Sequence, residues 1–145
     1  MKNIIKKKIV ILLALVIILL VCLYVLNEGL GSGKSLVING HKIKLEIAKS
    51  IEQRKKGLSG REELCSDCGM LFEFPEKGQY GFWMKDMKFS LDIIWILDGK
   101  IVHLEKDVQS DFEGVINPKV QADKVLEFNT GKADELGLLI GDKVL

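Results

Sequence analysis

The residue types best suited to chemistry gather between positions 72 and 95, where seven of the ten aromatic side chains of the 145-residue chain lie. Phe82, Trp83 and Met84 are consecutive, Lys85 follows, and Asp92 stands inside the apolar run LDIIWIL. Adjacent strand residues point to opposite faces, so either both faces are covered here or Trp83 stays partly exposed. A core anchor is the default reading of this tryptophan. The alternative is the wall of a ligand cleft, for which an indole offers a large rigid surface and one N–H donor. A carboxylate among large apolar neighbours must reach an edge or be paired, because desolvation is costly. Asp92 is therefore either an ordinary turn or capping carboxylate or half of a ligand-orienting ion pair with Lys85, Arg61 being the other candidate partner. Trp83, Met84, Lys85 and Asp92 form the candidate ligand-binding set.

Other chemistry has weaker footing. Glu127 alternates with apolar neighbours in Val125-Leu126-Glu127-Phe128 and is expected on a solvated face; Asp92 and Glu127 would make an acid and base only at a separation the sequence does not fix. Cys65 and Cys68 form C-x-x-C, read first as a structural or adventitious disulfide. A thioredoxin-type dithiol wants a helix N-terminus, whereas Glu62, Glu63 and Asp67 flank this pair and would disfavour thiolates. Zinc would need two further ligands, and the two histidines, His41 and His103, lie apart on expected hairpin strands. G-x-S-x-G, phosphate-binding glycine loops and H-E-x-x-H are absent from the sequence. No metal and no cofactor are expected.

The elements that must position these residues are short. Residues 35–38, Asn39-Gly40 and 41–48 read as a hairpin, since Asn-Gly supplies the positive φ angles of a two-residue turn. Ser50 with Gln53 matches a capping box opening a helix over 51–58, which Gly57 and Gly60 curtail. Strands are expected at 70–74, ended by Pro75, then at 81–85 and 91–97. Asp98-Gly99 turns into a strand over 100–108, and 110–121 is the longest expected loop. Then come a strand at 124–128, a short helix through Leu136 capped by Thr130, and a terminal strand after Gly141-Asp142. The fold class expected is mostly β (α+β): a small antiparallel barrel-like or folded sheet with two short helices, preceded by one transmembrane helix.

That last expectation rests on 9–26, IVILLALVIILLVCLYVL, an uncharged stretch worth roughly 27 Å at about 1.5 Å per residue. Lys6, Lys7 and Lys8 precede it, and Glu28 is the first charge after it, which favours a cytoplasmic N-terminus. The layout expected is a basic cytoplasmic segment at 1–8, a transmembrane signal anchor at 9–26, a glycine-rich linker at 27–34 and a β-rich globular domain at 35–145 outside the cell membrane. A cleaved signal peptide is the rival, but no small-x-small site follows the apolar run. Residues 35–145 carry sixteen Lys and Arg against nineteen Asp and Glu, a net charge of 16 − 19 = −3, without a basic stripe, so no nucleic-acid partner is expected.

Gly57-Leu58, Gly69-Met70-Leu71-Phe72, Phe82-Trp83-Met84-Lys85, Leu91-Asp92-Ile93-Ile94, Val125-Leu126-Glu127, Gly131 and Gly141-Asp142 together resemble the family called domain of unknown function 192. The resemblance spans most of 45–144. It implies a compact, mainly β domain, often exported or tethered, without an established activity, and a shared site around Trp83, Met84, Lys85 and Asp92. Ser59 stands where the family commonly has methionine and Ser90 where it often has proline. The pair Cys65 and Cys68 is also a departure and inherits no family role. The function expected is a membrane-tethered binding or accessory module of the cell envelope, holding a small ligand or peptide at those four residues. The alternatives are an envelope enzyme using Asp92 and Lys85, and a structural or assembly partner of another envelope protein.

Overall fold

A computed structural model describes the backbone of residues 2–29 and 34–144. It divides into two units, Met1–Ser32 and Gly33–Leu145. The first is helix α1, Lys2–Gly29. Among the described residues no helix is long and apolar enough to cross a membrane. The expected transmembrane anchor at 9–26 is corrected accordingly, and with it the single-pass membrane placement, the cytoplasmic N-terminus and the extracytoplasmic domain. Of the expected linker, 27–29 belong to α1 and 30–33 lie outside the described residues.

Among its described residues the second unit holds six strands and two short helices. They are β1 (Lys34–Ile38), β2 (His41–Ala48), α2 (Ile51–Lys56), β3 (Cys68–Gly78), β4 (Leu91–Leu97), β5 (Lys100–Val108), β6 (Ala122–Asn129) and α3 (Lys132–Glu135). They build one sheet in the order β1-β2-β3-β6-β4-β5. The expected antiparallel sheet is corrected to a mixed one, because β2 and β3 run parallel. The connection through α2 carries the chain back to start β3 in the same direction, as a parallel pair requires.

Local chemistry accounts for the turns and caps. Asn39 and Gly40 both adopt positive φ, 49° and 85°, so the β1–β2 turn matches the twist of its strands. The Ser50 hydroxyl accepts from the Gln53 amide, and the Gln53 side chain accepts from the Ser50 amide, closing the capping box of α2. β3 continues past Pro75 because its pairing with β6 slips between Glu73 and Gly78, where a missing N–H does little harm. Gly69 is required by contact: a Cβ there would lie 2.6 Å from the Phe128 ring. The expected strands at 81–85 and after Gly141 reduce to single bridges, Phe82 with Ile116 and Lys100 with Lys143.

The sheet is buried on both faces. On one, Ile94, Ile96, Leu126 and Phe128 pack with Ala133 and Leu136 of the α3 region. On the other, Phe72, Ile93, Trp95 and Val125 pack with Leu58 and Phe82. β4 is consequently buried at six successive positions, Leu91 to Ile96.

Asp92 fastens the first face. β5 carries one extra residue opposite Asp92, since Leu91 pairs with Val108 but Ile93 pairs with Glu105. The Asp107 amide released by this bulge donates to Asp92 Oδ1 at 3.0 Å, and the Ala133 amide at the start of α3 donates to Oδ2 at 2.8 Å. Gly131, not Thr130, is the N-cap of α3 and offers no side chain, so Asp92 supplies the acceptor from the sheet. Thr130 instead donates to the Asp107 carboxylate at 2.8 Å. Asp92→Ala should cost about 3 kcal/mol by stranding the buried Ala133 amide and the part-buried Asp107 amide. Urea titration and amide exchange check this: a loss under about 1 kcal/mol with Ala133 and Asp107 still protected would refute it.

Candidate functional site

A cleft opens on the second face of the sheet. α2 and the turn after it form one side, through Ile51, Arg54, Lys55, Lys56, Leu58 and Ser59. Phe72 and Phe74 of β3, with Tyr80, Phe82, Trp83 and Met87 from the β3–β4 connection, form the other, and Glu127 of β6 completes the lining. The half-open space is about 190 Å³, of the order of the roughly 150 Å³ cavity that takes up benzene. It fits one ring or one branched side chain.

The aromatic wall is held in place. Tyr80 stacks on Phe74 with ring centres 3.5 Å apart, and Phe82 meets Phe72 edge-on at 4.9 Å. The buried Trp95 indole donates to the Tyr80 carbonyl at 2.8 Å. Phe82 exchanges two backbone hydrogen bonds with Ile116, at 3.0 and 2.8 Å. On the α2 side, the Ser59 hydroxyl and the Gly60 amide donate to the carbonyls of Lys85 and Asp86 at 2.9 and 2.8 Å. The Arg54 guanidinium lies 5.2 Å from the Phe74 ring centre and donates to the carbonyls of Lys49 and Glu73.

Glu127 is the unusual group. It pairs with Met70 on one side and Ile93 on the other, is buried, and faces the second apolar cluster. Among the described residues no side chain or backbone group hydrogen-bonds its carboxyl, and burial alone pushes it up to about 8. It is therefore mostly protonated at neutral pH. The expected solvated position is corrected: β6 lies between β3 and β4 and is covered on both faces, so alternation does not lead to water.

The four residues singled out in the sequence are dispersed. Trp83 is 48% exposed and lines the cleft, whereas Met84 is buried in the second cluster. Lys85 is exposed and borders a neighbouring depression with Trp83, Met84 and Phe112. Asp92 lies on the opposite face of the sheet with both oxygens occupied. The Asp92–Lys85 ion pair does not form among the described residues, and Arg61 binds Glu46 through two 2.7 Å hydrogen bonds. Arg61 holds the Glu46 carboxyl below its ordinary range. Asp92 and Glu127 also sit on opposite faces and cannot share a substrate.

Cys65, in the turn before β3, is joined as a disulfide to Cys68, the first residue of that strand. That turn is tied to α3 by Lys132, whose stem is buried while its ammonium meets Glu135 at 2.8 Å and Asp67 at 3.0 Å. His41 lies 4.0 Å from Glu135, and His103 lies 3.3 Å from Glu105. Among the described residues no group of three His, Cys, Asp or Glu side chains is placed to hold a metal.

A two-face-covered mixed sheet with an aromatic cleft lined by one carboxyl defines a small α+β domain. The chain belongs to the DUF192 family, described as Uncharacterized ACR, whose model matches residues 34–145. Two crystal structures are similar to it. One, from Sinorhizobium meliloti 1021 and proposed to be a transcription regulator, is 31% identical, with a TM-score of 0.71 over 77% of this chain and 89% of that one. The other, of unknown function from Novosphingobium aromaticivorans DSM 12444, is 30% identical, with a TM-score of 0.70 over 77% and 81%. No curated protein matches the chain.

Glu127 fixes a pH dependence. Between its ordinary value of 4.5 and about 8, the unfolded chain releases a proton that the native state retains. Native stability attributable to this group is thus full below 4.5 and falls as pH rises, at up to about 1.4 kcal/mol per unit. Glu127→Gln should track the wild type at pH 4.5 and exceed it at pH 9 by on the order of a few kcal/mol. Urea midpoints that run parallel for the two proteins across this range would rule it out.

Proposed function

We propose that the domain is a binding module that takes a ring-sized group, from a small molecule or a peptide side chain, into the aromatic cleft. The supporting observation is the Glu127 carboxyl, which lacks a protein partner and opens on a space large enough for a ligand. A carboxyl raised by burial, without a protein hydrogen bond and opening on an apolar cleft, is where a ligand atom would complete the pairing. Trp83 would then close over the bound group as a rigid aromatic flap.

An enzyme built on Asp92 and Lys85 has less support, since backbone amides occupy Asp92 on the far face. A protein partner is the second reading, favoured by the exposed Trp83, Phe112 and Val115. A peptide side chain in the cleft would unite the two. A role on nucleic acid finds no support in the net charge of −3 over 35–145.

The two tryptophans separate the outcomes, because Trp95 is fully buried and Trp83 is half exposed. A fragment screen of single-ring compounds on the full-length protein should yield hits that shift Trp83 emission to the blue. Trp83→Ala should weaken them by about tenfold or more, near 1.4 kcal/mol, while costing little stability. Hits that ignore this substitution, or a screen without hits, would turn the assignment towards a flat protein interface.

A further inference from the structure

Resting on the cleft as a binding site, the charges around it select the ligand. We infer that the cleft takes an anionic ligand whose uncharged planar head carries a hydrogen-bond donor and acceptor on one edge, as a primary carboxamide or an aminopyrimidine does. The head meets Glu127, and the anionic end meets Lys55 and Lys56.

Two occupants suit a carboxyl enclosed by aromatic rings. An organic cation would ionise Glu127 and gain cation–π contacts, whereas a neutral amide-like edge would pair with the protonated acid through two hydrogen bonds. The remaining charges decide between them. α2 contributes Arg54, Lys55 and Lys56 to the lining, the β3–β4 connection contributes only Tyr80 among titratable groups, and β3 contributes none. Arg54 is committed to two backbone carbonyls and the Phe74 ring, and Tyr80 donates to the Glu76 carbonyl. Lys55 and Lys56 are exposed and have no ion-pair partner among the described residues. With Glu127 protonated, every charge lining the cleft is positive, so the field repels a cation and draws an anion. The space admits one ring, which places the negative group near the mouth, on the side of α2.

Basic residues in the last turn of a helix also complement its dipole without any ligand. The test must therefore read binding and not stability. Three probes suffice: 4-carbamoylbenzoate, with amide head and carboxylate; 4-methylbenzoate, lacking the amide; and benzyltrimethylammonium, a permanent cation. Amide chemical-shift titrations of the isotope-labelled full-length protein are run at pH 6.5 and 9.5.

4-Carbamoylbenzoate should bind tighter than both others and lose about thirtyfold in affinity by pH 9.5, as the protonated fraction of a group near 8 falls. In Glu127→Gln, which keeps a donor and an acceptor, that pH dependence should vanish. Lys55→Gln with Lys56→Gln should weaken 4-carbamoylbenzoate several-fold and leave its pH dependence intact. A preference for benzyltrimethylammonium that strengthens with pH overturns the inference while leaving the cleft a binding site. Silence from all three probes, where the fragment screen has found ligands, likewise overturns only the ligand class. Silence in both removes the site itself.

Discussion

A buried carboxylate must be satisfied, and in this domain Asp92 is satisfied by backbone. Its oxygens take the amide freed by the β5 bulge and the Ala133 amide in the first turn of α3, two donors that the fold would otherwise leave without a protein partner. The bulge, the seating of α3 and the burial of β4 on that face are thus one arrangement. Remove the carboxylate and each part loses its reason: the bulge exposes an N–H, the helix begins uncapped, and Ala133 and Leu136 lose the anchor that presses them on the sheet.

Glu127, one strand away, obeys the same constraint with the opposite result. Ile93, the residue after Asp92, is its partner across β4 and β6, so the two acids emerge on opposite faces. Where Asp92 finds two amides, Glu127 finds Met70, Ile93 and aromatic rings, and it keeps its proton instead of finding a partner. One acid organises the fold and the other remains available. That difference, and not proximity to the aromatic cluster, separates a structural carboxyl from a candidate functional one.

Features set by neighbouring residues were legible in the sequence. Asn39-Gly40 makes its hairpin, Ser50 and Gln53 close their capping box, and β4 and β5 occupy the spans expected at 91–97 and 100–108. Features set by distant chain were not. Parallel pairing of β2 with β3 depends on where α2 returns the chain, and the continuation of β3 through Pro75 depends on a register slip against β6. Glu127 was misplaced because alternation in Val125-Leu126-Glu127-Phe128 says which residues share a face, not whether water lies beyond it. The near-continuous apolar run of β4 was the available signal, since a strand buried on both faces implies covered neighbours as well.

The block Phe82-Trp83-Met84-Lys85 shows why a shared motif need not be a single site. Phe82 is fixed to Ile116 and packs edge-on against Phe72, and Met84 fills the core beside it. Lys85 serves the fold through its carbonyl, which receives the Ser59 hydroxyl and so sets the spacing between α2 and the aromatic wall. Trp83 alone of the four presents a large exposed surface at the cleft. Of the four, only Phe82 and Trp83 line the cleft, Phe82 from the core side and Trp83 from the exposed side. Alternation along an extended segment produces this division: Phe82 and Met84 are directed into the core, and Trp83 and Lys85 are directed out of it.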